Sequence, residues 1–164
     1  MRRLLLILIA GLALAAPAAA VNPKFWITAI TIGDANLHWS KQQYRSHWGK
    51  PVRFEQLENG YSRLHFLKRH IEVYFKKGYT GAVAIVTWDK RDRTLDKIGP
   101  CSTVAMLKHA YPNAGKFRQN GKVIAYRLGR LIFTAETARV GDVMLATPAV
   151  SPYVALNAPE CGVP

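Results

Sequence analysis

Two stretches of this chain carry the same pattern: HIEVYFKKGYTGAVAIVTWD, residues 70–89, and YRLGRLIFTAETARVGDVMLAT, residues 126–147. In each, apolar side chains alternate with polar ones, and a turn segment leads into a second apolar run. Alternation with period two puts every second side chain on one face of a strand, so each stretch reads as an antiparallel strand pair. A strand pair written twice constrains the fold, because a repeated unit buries its apolar face against its copy.

Each stretch ends a longer unit. Upstream of the first, SKQQYRSHWGKP offers Ser40 as a helix N-cap, with Tyr44 and Trp48 on one helical face. Gly49 stops this helix and Pro51 blocks its continuation, so it is predicted over 41–48. Strands follow at 52–57, 61–67, 70–76 and 81–88, with Glu58-Asn59-Gly60 as a turn. The last of these is apolar almost throughout, the pattern of a central strand buried on both faces. The mixed-charge run DKRDRTLDK, 89–97, reads as a solvated crossing. Then the order restarts. IGPCSTVAMLKHAYPNAG holds a second helix, capped by Ser102 or Thr103 and closed by Pro112. Strands are predicted at 116–119, 123–128, 130–134 and 139–145, with Asn120-Gly121 as a hairpin turn. Trp48 aligns with Tyr111, and Phe75 with Phe133.

The expected fold class is therefore α+β. Tandem repeats, each a helix plus four antiparallel strands, form one curved antiparallel sheet with two helices on one face. The chain divides into a signal peptide (1–20), an N-terminal arm (21–36), a first repeat (37–88), a connector (89–97), a second repeat (98–146) and a Pro-rich tail (147–164).

The leader sets the compartment. Arg2 and Arg3 precede an uncharged run, and Ala18-Ala19-Ala20 supplies small residues for a signal peptidase. The expectation is export, with cleavage near Ala20, to the periplasm, the cell envelope or the medium. Lys and Arg number 23 against 10 Asp and Glu; without Arg2 and Arg3 the balance is 21 to 10, a net charge of +11. Such a protein is drawn to anionic surfaces, although a dispersed charge also serves solubility. The expected partner is a protein or an anionic cell-envelope component. Peripheral membrane contact is compatible with the charge, nucleic acid is not expected after export, and the oligomeric state is not legible. Cys101 and Cys161 form an even pair, which in an exported chain points to a disulfide tying the tail to the body. By loop entropy it would contribute about 4 kcal/mol. No glycine-rich phosphate loop or zinc-ligand spacing is present, so no cofactor or metal is expected.

The segments SKQQYRSHWGKP, HIEVYFKKG, IGPCSTVAMLKHAYP and YRLGRLIFTAETARVGDVML, in this order, resemble the β-lactamase-inhibitor-protein-like fold. The small outer-membrane-assembly lipoproteins share that fold. The resemblance implies a concave antiparallel sheet of about eight strands with two helices behind it, and a concave face that grips another protein. It carries no catalytic residues. The inhibitors hold disulfides within each repeat and the lipoproteins need a lipidated cysteine at the mature N-terminus. This chain has neither, so inhibition and assembly do not transfer.

Alternation assigns the faces. Ile71, Val73, Phe75, Leu131 and Phe133 face the helices; Glu72, Tyr74, Lys76, Val86, Trp88, Arg130 and Ile132 face away, joined by Arg63 and His65. Arg63, His65, Tyr74, Lys76, Trp88 and Arg130 make an aromatic and cationic set with the composition of a protein interface, and are the candidate partner-binding residues. No catalytic residue is assigned. The runner-up reading is an exported cysteine hydrolase of the cell-wall peptidase type, with Cys101 activated at a helix N-terminus. It needs a histidine within reach of the sulfur. The later histidine, His109, lies on the same predicted helix, with a rise of about 12 Å between them. A disulfide is the better reading of Cys101.

Overall fold

The computed structural model of the protein describes residues 23–135, 138–148 and 150. The expected signal peptide, Cys161 and nearly all of the tail lie outside the described residues.

The helix α1 spans Lys41–Trp48 as the sequence predicts. Ser40 caps it reciprocally: its hydroxyl accepts from Gln43 N–H, while the Gln43 side chain accepts from Ser40 N–H. Four strands follow in a meander, β3 (Arg53–Gln56), β4 (Tyr61–Phe66), β5 (Ile71–Lys76) and β6 (Ala84–Thr87). The helix α2 (Val104–Ala110) is capped by Thr103, whose side chain accepts from Met106 N–H. A second meander comes after it, β7 (Gly115–Gln119), β8 (Lys122–Leu128), β9 (Leu131–Thr134) and β10 (Val143–Ala146). The eight strands form one sheet in the order β3-β4-β5-β6-β10-β9-β8-β7. The two meanders meet where β6 pairs antiparallel with β10, Val86 opposite Met144. Asn120 and Gly121, at φ 50 and 78, make the tight turn between β7 and β8. Among the described residues no helix is long and apolar enough to cross a membrane.

The helices share one face of the sheet. Tyr44 of α1 and Leu107 of α2, both fully buried, belong to one apolar cluster with Leu64, Val73, Phe75, Ile85, Phe133 and Leu145. Each such side chain contributes roughly 1.5–3 kcal/mol by leaving water. The aromatic contacts run from helix to strand in both halves: Tyr44 lies 5.9 Å from Phe75, and Tyr111 lies 5.8 Å from Phe133.

The opposite face follows the predicted alternation but is not open. Tyr74, Ala84, Val86, Ile132 and Met144 are buried in a second apolar cluster that also takes in Val150. The cause is the sequence of β6 and β10, AIVT and VMLA, apolar on both sides and buried at every position. The expectation that Tyr74 presents its ring outward is corrected: the residue is 1 % exposed.

Three further expectations are corrected. The N-terminal arm, expected at 21–36 as a lead-in over 22–32 that is either a strand or an extended segment, instead folds back as the short ladder β1 (Thr31–Ile32) with β2 (Ala35–Asn36). The strand expected at 139–145 begins only at Val143, because Thr134 and Asp142 close onto each other. Asp142 N–H donates to Thr134 Oγ1, and that hydroxyl donates to Asp142 Oδ1, both at 2.9 Å. The connector is not a solvated crossing. Asp89, Asp92, Thr94 and Ile98 are all buried. The arm lies along it, Ile27 N–H donating to Arg93 O and Arg93 N–H to Phe25 O, both at 2.8 Å. Gly99 permits this packing, since a Cβ there would stand 2.0 Å from Asp92 O.

Candidate functional site

Three of the sequence-predicted residues, Arg63, His65 and Tyr74, come together, but in a closed network. The sheet register places Glu55 and Tyr74 on either side of Arg63, and Arg53 and Glu72 on either side of His65. Arg63 donates from Nε to Glu55 Oε2 at 3.0 Å, and from one terminal nitrogen to Glu72 Oε2 and Tyr74 Oη, each at 3.1 Å. Its other terminal nitrogen also donates to Glu55. Tyr74 Oη donates to Glu72 Oε2 at 2.6 Å. His65 Nδ1 lies 2.9 Å from Glu72 Oε1, and Arg53 Nε lies 2.6 Å from Glu55 Oε1. His65 Nε2 stands 3.3 Å from Glu55 Oε2 without the alignment of a hydrogen bond. The hydrogen bond from Arg63 holds the Glu55 carboxyl down at about 2, against the opposing effect of burial. Burial and the neighbouring Glu72 charge push the Tyr74 phenol up. Two arginines face two glutamates, so the network balances its own charge and leaves no cation for a ligand.

Trp88 and Arg130 stand apart from this network. Trp88 lies just past β6, its ring 6.1 Å from that of His70. Arg130 is in the turn between β8 and β9. Both fall outside the strands that were to aim them, so strand phase does not set their direction.

Sequence reasoning placed the connector carboxylates in solvent, whereas Asp89 and Asp92 are buried. Asp89 accepts from Arg91 Nε and a terminal nitrogen of Arg91, at 3.0 and 2.6 Å. Burial works against this charge, and Arg91 outweighs burial and holds the carboxyl below its usual range. Asp92 takes one hydroxyl, Thr87 Oγ1, at 2.5 Å. Burial, with the Asp89 charge nearby, pushes Asp92 up to about 7. Both residues line a cleft of about 320 Å³ with Asp34, Arg69 and Arg91, where Arg69 is already paired to Asp34 at 2.8 Å.

Between pH 3.8 and about 7 the folded protein thus holds a proton on Asp92 that the unfolded chain has released. Stability is full below the unfolded pKa near 3.8 and falls as pH rises toward about 7. Asp92→Asn is expected to raise the unfolding free energy by roughly 2–4 kcal/mol at pH 8 and by little at pH 4. Urea titrations at the two pH values measure this. An equal change at both would contradict a titrating Asp92.

The remaining predicted residues, Lys76 and Arg130, lie at the end of the sheet where β5 finishes and β6 starts. The loop 77–83 joins these strands there. On one side of it is a hollow of about 470 Å³ whose lining includes Lys41, Lys76, Lys77 and Tyr79. On the other is one of about 220 Å³, lined by residues including His38 and Arg130. Tyr79 and Thr80 form a wall common to both. Neither hollow has an aspartate or glutamate in its lining. The lysines stand over rings. Lys41 Nζ is 5.4 Å from the Phe54 centroid and 5.5 Å from that of Phe75; Lys76 Nζ is 5.2 Å from Tyr61 and 5.9 Å from Tyr79. Cations held by ring faces keep their charge for a ligand.

Cys101 is outside α2, ahead of the Thr103 cap, and its N–H donates to Val140 O at 2.8 Å. Its predicted partner Cys161 is outside the described residues. Among the described residues no three His, Cys, Asp or Glu side chains converge to hold a metal ion.

No family model matches this chain, and no curated protein does. Among solved structures, it is similar to an extracellular protein containing an SCP domain from Bacillus anthracis str. Ames. Identity is 9 % and the TM-score 0.49, over 68 % of this chain and 44 % of that one. The chain thus spans less than half of that protein's length.

Proposed function

We propose that this is an exported, non-catalytic protein that binds an anionic cell-envelope polymer in the groove flanking loop 77–83. The two helix-plus-four-strand units are read as copies of one repeat, and Cys101 and Cys161 as a disulfide. One observation carries the reading: the two hollows flanking loop 77–83 together gather Lys41, Lys76, Lys77, His38 and Arg130, with no carboxylate in either lining. The face network points the same way, since Arg63 is occupied by Glu55 and Glu72.

The test compares two charge-matched doubles. Lys76→Gln with Arg130→Gln removes two groove charges; Lys108→Gln with Lys122→Gln removes two exposed charges elsewhere. Binding of long-chain polyphosphate is measured at fixed ionic strength. The groove double is expected to weaken it about tenfold, and the control double by less than about twofold. Equal losses would reduce the interaction to net charge and reject the groove.

A further inference from the structure

The larger hollow has features beyond positive charge. It lies at the N-terminus of α1, where peptide N–H groups point outward and the helix dipole favours an anion. The capping box uses Ser40 N–H and Gln43 N–H. Lys41 and Gln42 also line the hollow, and their N–H groups make no hydrogen bond among the described residues. Lys77 adds a third lysine beside Lys41 and Lys76, and none of the three is in a salt bridge among the described residues.

Ser62 supplies an independent sign. It is 3 % exposed, it sits on β4 opposite Phe75, and it lines the hollow. Its hydroxyl has no hydrogen-bond partner among the described residues and is not fully enclosed, so a ligand in the hollow can reach it. It is thus not sealed away from the hollow, as a dry packing defect would be. A polar donor kept at the wall of a lysine-lined hollow, beside two unspent N–H groups, is the donor set of an oxyanion site.

We propose that this hollow binds a phosphate group, with Lys41 and Gln42 N–H and Ser62 Oγ donating to its oxygens and the lysine ammoniums neutralising it. The inference rests on the anionic-polymer reading above and makes this hollow the point where a phosphate-bearing polymer is held. The ring contacts of Lys41 with Phe54 and Phe75 fix where its charge sits, so part of the ordering cost is met before the ligand arrives.

The experiment titrates inorganic pyrophosphate into the ¹⁵N-labelled protein. The Lys41 and Gln42 amide signals are expected to move downfield and saturate together. Ser62→Ala is expected to weaken the binding about fivefold, as for loss of one hydrogen bond to a charged group. It should leave thermal stability unchanged, since the hydroxyl has no partner to lose. Lys77→Gln should weaken binding similarly, and Lys122→Gln should not. Shifts spread equally over Lys108 and Lys122 would overturn the site while leaving the groove to the charge-matched polymer experiment. Binding to phosphatidylglycerol vesicles with no pyrophosphate shifts would overturn it in favour of a lipid surface. Loss of polymer selectivity in the charge-matched pair, with saturating Lys41 and Gln42 shifts retained, would reject the polymer reading alone.

Discussion

Tyr44→Ala is expected to lower the unfolding free energy by about 3–5 kcal/mol, the range for emptying a buried aromatic site. At this chain length that is a fall of roughly 10 °C or more in midpoint temperature. Tyr44 is fully buried and is the hub of the first half's core. Its ring lies 5.4 Å from Trp39, 5.1 Å from Trp48, 6.2 Å from Phe66 and 5.9 Å from Phe75. These rings hold α1 on β4 and β5, and each bulky neighbour is anchored by others, so the cavity cannot collapse. The hydroxyl adds a separable part, donating to Asn36 O at 2.7 Å. Tyr44→Phe should therefore cost only about 1 kcal/mol, leaving one carbonyl short of a donor. Urea denaturation with near-ultraviolet circular dichroism distinguishes the two. Equal losses for Ala and Phe would show that the hydrogen bond, not the packing, holds the helix.

The same residue shows why the fold was legible. Tyr44 and Trp48 stand four apart between Ser40 and Gly49, and those local signals place α1 at the observed bounds. Val73 and Phe75 alternate with Tyr74 in a strand flanked by turns, and that alternation survives in the register. Local periodicity is carried by the chain itself, so it can be read without the fold. Exposure is different. Whether Tyr74 meets water depends on which strands and segments lie beside and over it, which the pattern of its own strand does not encode. The buried connector shows the same limit. DKRDRTLDK reads as solvated because charges favour water, yet arm pairing and the Gly99 approach draw Asp89 and Asp92 inside. The groove was half legible: Lys76 and Arg130 were singled out, but for a face. Lys41 and Lys77 join them only because loop 77–83 folds against α1, a contact between segments that no motif marks.

Arg63→Met tests the other buried construction on the sheet. The expected loss is roughly 3 kcal/mol at pH 7, because removing one partner strands charges that were buried as a set. Glu72 bears most of it: it is 6 % exposed and would keep only Tyr74 and His65 as partners. Arg63→Lys keeps the charge but cannot span Glu55, Glu72 and Tyr74 together, so it should recover part of the loss. Acid provides the second readout. The folded pKa of Glu55, about 2, lies below its unfolded value of 4.5. Its stabilisation is therefore complete above the unfolded pKa and is lost as pH falls through the folded one. The gap between wild type and Arg63→Met should accordingly be widest above pH 4.5 and shrink toward pH 2. A gap independent of pH would mean that Arg63 acts through the packing of its aliphatic stem and not through its charge.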